Sequence, residues 1–399
     1  MSCVVIATAG TYGDLIPYLI LGQALHAQGH QVRFAAAPSC ADLVRRAGLG
    51  FHPCRPDINP ALARRRYADW DHWSGRPVDF DPNNIDLPAY FSDCCQACAG
   101  ADLLLCAPGQ LAGELVHEYT AIPWLSLTVT PALFSGCSRD DASHRAMQQL
   151  LADRLNGFRR HLRLAPLPPT AYANARMASH IILGASRHFC RPAATFADAI
   201  TQTGFWFGQS PSEQAWQPDP ELEAFLSNDP PPLLLTFSSQ PVADQAAVVA
   251  RYAAAASALQ YPLLIQAGWT GLGNHLAPGL LAAGTVMLAG HIPHDYLFPR
   301  VAAVMHHGGI GTTARALRHG RSMLVEPYGN DQFHNAMRIV QLGVGAAIHP
   351  HRATVASLAW LLREKVLTGT CRARAVALGA ALAAENGVRD ACQMINARL

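Results

Sequence analysis

The sequence predicts an α/β protein made of two Rossmann-like, doubly wound halves. Three observations carry this. The chain opens as strand, glycine-containing loop, helix and strand. A proline-rich stretch interrupts it past the middle, and beyond that stretch the same alternation restarts. At 399 residues there is also enough chain for two cores.

The elements follow in order. Residues 3–7 (CVVIA) form a short, β-branched apolar run. The loop TAGTYGD comes next, then a helical pattern over 15–28 that Gly29 closes, then a strand over 31–37 (QVRFAAA). This βαβ start implies a parallel sheet. Further strands are expected at 103–106, 124–129 and 180–184. Residues 53–88 are rich in Pro, Asp, Arg and Asn and read as an irregular excursion, long enough to cover a substrate. Six prolines between 209 and 232 mark a linker. After it come strands at 233–237, 262–266, 302–305 and 322–326, a helix at 244–259, and an Ala-rich helical C-terminus. The expected domains are therefore 1–208 and 233–379, with the linker at 209–232 between them and a terminal helix at 380–399.

Composition narrows the function classes. Half of the residues are hydrophobic, 15% are charged and the net charge is +2. That suits a folded globular protein and gives nucleic acid no basic footing. The N-terminus lacks a basic n-region, and no uncharged apolar run nears the ~20 residues that span a bilayer. A cytoplasmic protein is expected. Nine of the eleven cysteines precede residue 200. Cys95 and Cys98 form a CxxC beside Cys94, but no second pair stands at zinc-site spacing. The spacing of Cys94 and Cys98 fits one buried helix face, and free thiols follow.

The most informative stretch is MHHGGIGTTARALRHG, residues 305–320. It follows an apolar strand and opens a helix that Thr312 or Thr313 could cap and Gly320 could end. Glycines let backbone N–H groups approach a ligand, and a helix N-terminus favours anions. His307 adds a donor, so the loop suits a pyrophosphate. Rival phosphate motifs are missing: there is no GxxxxGK[ST], and the first turn has Gly10 and Gly13 rather than GxGxxG. The second strand ends without the acid that would hold a nicotinamide ribose, which argues against a dehydrogenase.

HHGGIGTTARALRHGRSMLVEPYGNDQFHNAMRIVQLGVG (306–345) resembles the donor-binding signature of nucleotide-sugar glycosyltransferases of the GT-B fold. It is most similar to the UDP-glycosyltransferase-like bacterial branch, which holds natural-product glycosyltransferases and rhamnolipid-type rhamnosyltransferases. LFPRVAAVMHHGG, GTYGDLIPYLILGQALHAQGHQVRFAA, TGFWF and PELEAFL extend the likeness over both halves. It implies two facing domains, the donor mainly on the second and the acceptor on the first, with the terminal helix packed back on the first.

The resemblance also implies residue roles. His307, Gly308, Gly309, Gly311 and Thr312 would hold the donor pyrophosphate. Asp331 and Gln332 would read the hydroxyls of the donor sugar, although a loop cap for the following helix is an alternative. Ser238 and Ser239 stand where the family has Gly-Ser against phosphate. Trp269 would wall the nucleotide pocket or else fill the core, and His291 and Ile292 belong to the segment whose backbone reads the base. Asp14 would be the general base; the residues alone equally allow it to be an N-cap, with Pro17 in the first turn. Asp79-Phe80-Asp81 is a DxD of the kind that binds metal and nucleotide in the other large glycosyltransferase fold, but here it sits in a Pro/Asn-rich loop.

The reading is an inverting glycosyltransferase moving a hexose from a UDP- or dTDP-sugar to a hydroxyl of a small apolar or lipid acceptor. No cofactor and no metal are expected. A lipid acceptor would imply weak contact with a membrane surface. The rivals are a sugar-nucleotide epimerase or hydrolase of the same fold, and a non-catalytic nucleotide-sugar-binding subunit.

Overall fold

The computed structural model describes residues 1–9, 12–57, 86–107, 110, 112–135, 142–167, 180–209, 211–242, 244–268, 271–273 and 284–399. Most of the 53–88 excursion, the 79–81 DxD and Trp269 lie outside the described residues.

The first sheet contains β1 (Cys3–Ala7), β2 (Gln31–Ala36), β3 (Gly50–Pro53), β4 (Leu103–Cys106), β5 (Trp124–Thr128), β6 (Ile181–Leu183) and β7 (Ile200–Gln202) in the order β3-β2-β1-β4-β5-β6-β7. The second contains β8 (Leu233–Thr236), β9 (Leu263–Gln266), β10 (Val286–Ala289), β11 (Ala303–His306), β12 (Met323–Val325) and β13 (Gly345–Ala347) in the order β10-β9-β8-β11-β12-β13. Every pairing is parallel, with Val5 opposite both Arg33 and Leu104, and His306 opposite Thr236. Central strands such as LLLT of β8 are buried throughout, so they read as unbroken apolar runs rather than alternating ones. Tyr252 and Phe237 pack between β8 and its helix Gln245–Ala258, which Asp244 caps through the Ala247 N–H.

Four strands go unannounced in the sequence: β3, β7, β10 and β13. They are the four sheet edges. Edge strands are half-exposed, and GFHP and GAA carry no apolar run to reveal them. The helix expected at 15–28 runs Tyr12–Ala27, one turn earlier. Asp14 is therefore its third residue and not its N-cap, and Pro17 lies beyond the first turn. Cys94 and Cys98 are buried, as the four-residue spacing suggests, and both are free thiols.

The chain divides into two compact units, and their boundaries differ from the expected domains. The second unit includes Pro211–Glu385. The proline-rich stretch is thus mainly part of that unit, and it folds into the short helices Pro211–Gln214 and Pro220–Leu226 instead of a free linker. The expected break at 380 falls inside the helix Gly369–Ala383, and Asn386–Leu399 belong to the first unit.

The helix Gly387–Asn396 packs on Tyr12–Ala27 within that unit, and Asn396 Nδ2 donates to Gln28 Oε1 at 2.9 Å. Its first residue has to be small, because a Cβ on Gly387 would lie 2.5 Å from the carbonyl oxygens of Gly204 and Phe205. Gly387→Ala is expected to cost about 1–3 kcal/mol by overpacking. Chemical denaturation checks this, and an unchanged midpoint would mean the contact is slack. Among the described residues no single helix is long and apolar enough to cross a membrane.

Candidate functional site

In an open parallel sheet, a crevice forms at the carboxyl ends of two adjacent strands whose connections leave in opposite directions. In the second sheet these strands are β8 and β11, since β9 and β10 extend one way and β12 and β13 the other. The His307–Gly309 loop follows β11, and the Phe237–Gln240 loop follows β8. In the first sheet the corresponding pair is β1 and β4. The helix carrying Asp14 follows β1, so its backbone stands at that switch point; its side chain lies outside the described residues.

The loop after β11 is built by its own histidines. His306 is fully buried, and its Nδ1 accepts from the Gly308 N–H at 3.1 Å. That leaves Nε2 to carry the proton, and among the described residues Nε2 has no partner. Gly308 has φ +95°, and a Cβ there would meet Val325 at 2.8 Å and the Gln332 carbonyl at 3.2 Å. The His307 ring folds over Gly309 and meets Phe237 edge-on at 6.4 Å. It is 5% exposed, and its buried Nδ1 has no partner among the described residues.

The helix begins at Ile310 with Gly309 as N-cap and no side-chain cap. The threonines do not cap it. Both are inside the first turn, Thr312 buried and Thr313 turned back to donate from Oγ1 to the Gly309 carbonyl at 2.9 Å. The glycine cap leaves the first backbone N–H groups without a side-chain acceptor, which is the arrangement an anion can use. Gly311 is exposed at this end.

Burial pushes the His307 imidazole down to about 4 and holds His306 well below its ordinary value as well. Both rings are neutral near pH 7. The unfolded chain takes up protons below about pH 6.5, while the folded chain refuses them until about 4 at His307. The unfolded state binds more protons in that window, so stability must fall as pH falls through it. The slope is up to ~1.4 kcal/mol per pH unit for each ring. Denaturant curves at about pH 7 and about pH 5 read it out; identical midpoints would show that the imidazoles are solvated.

The loop after β12 holds Asp331 and Gln332. Asp331 occupies the N-cap position of Gln332–Leu342, but its side chain makes no capping bond. Its Oδ2 instead accepts from Asn335 Nδ2 at 2.9 Å, and the same Nδ2 donates to the Gly308 carbonyl at 2.9 Å. Asn335, fully buried, thereby ties the β11 loop to the β12 loop. Gln332 is a brace too. Its Oε1 accepts from the N–H groups of Tyr328 and Gly329 at 2.8 and 3.0 Å, and Nε2 donates to Gln240 Oε1 at 2.8 Å. One Nε2 proton remains for a ligand.

Beneath this loop Glu326 is fully buried and accepts from Arg251, Tyr252 and Tyr328. Burial pushes its carboxyl up, and these three donors pull the other way. Asn335, Glu326, Arg251 and Gln240 were not among the sequence candidates. For Asn335 the available signal was its place one turn after Asp331 on the same helix face.

The remaining candidates are placed as follows. Ser238 and Ser239 are half-buried after β8, and Ser238 takes φ +52°, a backbone state in which glycine is the easier residue. His291 is exposed, and Ile292 is buried with its carbonyl accepting from Gln266 Nε2 at 2.9 Å. Both line a recess of about 260 Å³ together with Trp216, Asp219 and Met287. Among the described residues no cluster of three or more His, Cys, Asp or Glu side chains could hold a metal ion.

Two parallel α/β sheets, one with an anion-suited loop at its switch point, are the frame of a nucleotide-binding enzyme. The comparisons agree with it. Residues 278–396 match the family described as erythromycin biosynthesis protein CIII-like, C-terminal domain, and residues 4–71 match the glycosyltransferase family 28 N-terminal domain. The O-mycaminosyltylonolide 6-deoxyallosyltransferase of Streptomyces fradiae is 30% identical over 427 residues, covering 98% of this chain and 96% of that protein. The sterol 3-beta-glucosyltransferase of Yarrowia lipolytica is 27% identical over 97% of this chain, which spans only 28% of that protein's length. The crystal structure of the kitacinnamycin glycosyltransferase superposes with a TM-score of 0.78 at 19% identity, covering 100% of this chain and 99% of that one. VinC in complex with dTDP gives 0.72 at 17% identity, covering 99% of each chain. The chain belongs to the glycosyltransferase family of the Streptomyces fradiae protein and has the GT-B fold.

Proposed function

We propose that this chain transfers a hexose, with inversion, from a UDP- or dTDP-sugar to a hydroxyl of a small lipophilic acceptor. The observation that carries the reading is the His307–Gly309 loop at the β8/β11 switch point. It combines a neutral, buried imidazole whose Nδ1 has no partner among the described residues with a helix N-terminus that no side chain caps. The dTDP bound to VinC and the mycaminosyltylonolide and sterol in the names of the relatives support the donor and acceptor classes.

In the proposed step Asp14 takes the proton of the acceptor hydroxyl. The oxygen attacks the anomeric carbon from the face opposite the diphosphate. The bond from that carbon to the diphosphate oxygen breaks, and its electron pair leaves with the nucleoside diphosphate. His307 donates a hydrogen bond to the departing phosphate, and the N-terminal end of Ile310–Arg318 stabilises its charge. Asp331 and the spare proton of Gln332 read the sugar hydroxyls. No resident metal is invoked. A lipid acceptor would bring the enzyme to a membrane surface, and a cytoplasmic location would keep its cysteines as thiols.

The test is a thermal-shift panel with UDP, dTDP, GDP, ADP and NAD⁺ without metal, followed by transfer assays with the sugars of the stabilising nucleotide. Stabilisation by UDP or dTDP supports the reading. A shift with NAD⁺ alone, or none, overturns it. Donor consumed without any acceptor present would favour the hydrolase or epimerase reading.

A further inference from the structure

The second unit has a cleft at the end of its sheet opposite the loops described above. It lies where the chain enters β8, β11 and β12, at Pro231, Val301 and Arg321, and it encloses about 390 Å³. Pro231, Val301 and Val376 supply apolar walls. Arg300, Arg321 and Arg372 supply charge, and among the described residues no carboxylate lines it.

Close packing brings the arginines together. The helix Gly369–Ala383 crosses the turn that ends Ile310–Arg318, and a Cβ on Gly379 would lie 2.8 Å from the Leu317 carbonyl. Val376 and Arg372 stand three and seven residues earlier on the same face, which sets them beside Arg321. Arg321 is held in place: Nε donates to the His319 carbonyl and Nη1 to the Val301 carbonyl, each at 3.1 Å. Arg300 donates Nη1 to the Tyr296 carbonyl at 2.7 Å. Among the described residues Arg372 has no ion pair and no side-chain hydrogen bond. Burial and the charge of Arg372 push the Arg321 guanidinium below its ordinary range. Guanidinium groups gathered without a carboxylate repel one another, and an oxyanion between them would remove that repulsion and accept from both.

We propose that this cleft binds a phosphoryl anion borne on an apolar group, at a site separate from the donor loops. Two sources share that chemistry, a soluble phosphate monoester and a phospholipid headgroup. The proposal does not rest on the transferase reading.

The test uses the full chain with UDP in excess, so that the donor loops are occupied. Phenyl phosphate is titrated calorimetrically, and cosedimentation is measured with phosphatidylcholine vesicles lacking or containing phosphatidic acid. Wild type should bind, and Arg321→Gln/Arg372→Gln should weaken binding by about tenfold or more. Arg372→Glu should abolish binding and raise the unfolding midpoint, because the new carboxylate pairs with Arg321; that midpoint also shows that the variant is folded. Arginine-dependent binding of phenyl phosphate alone identifies a soluble ligand, and arginine-dependent binding of the acidic vesicles identifies a headgroup. No binding by wild type in either arm, or binding indifferent to both substitutions, overturns the proposal.

Discussion

Asp14→Asn is expected to lower kcat by about 10²–10⁴-fold, the usual contribution of a positioned general base, while leaving nucleotide affinity unchanged. The amide keeps the shape of the carboxylate but cannot take the acceptor proton. The helix starts at Tyr12, which makes Asp14 its third residue. Single-turnover rates with saturating donor and acceptor read the chemical step. The wild-type rate should decline at low pH as the carboxylate protonates, and that limb should be missing from the variant. Wild-type kcat in Asp14→Asn would end the proposed mechanism, though not the family assignment.

Asn335→Asp should produce the largest loss of stability. Asn335 is fully buried, and its single Nδ2 group serves both the Gly308 carbonyl and the Asp331 carboxylate. An aspartate there turns two attractive contacts into repulsive ones and buries a charge without a cation. The expected cost is about 3–5 kcal/mol, the range seen when a buried charge loses its partner. Asn335→Leu, similar in volume and uncharged, should cost less. It would still remove the bond from residue 335 to Asp331 and untie the β11 loop, so KM for the donor should rise more than kcat falls. Denaturation midpoints of the two variants, compared with donor KM, decide the matter. Equal midpoints for Asp and Leu would show that the site admits water.

How much of this was legible in the sequence depends on whether a feature is local. The central strands β1, β4 and β8 announce themselves because burial on both faces demands nearly unbroken apolar residues. The edges β3, β7, β10 and β13 do not, because half-exposed strands place no such demand. The glycine loop is recognisable because its turn and helix start lie within a few residues. The capping role given to Thr312 and Thr313 failed because Gly309 starts the helix sooner and Thr313 turns back to the Gly309 carbonyl.

The sequence by itself determined the α/β class, the restart of the alternation, the glycine loop after β11 and the family motifs around it, all carried by neighbours along the chain. Only the tertiary structure decided what braces that loop. Asn335 reaches Gly308 across 27 residues, Arg251 reaches Glu326 across 75 and Gln332 reaches Gln240 across 92. It also gathered Arg300, Arg321 and Arg372 in one cleft. A buried polar atom must find its partner wherever folding brings one, and spacing along the chain holds no record of that distance.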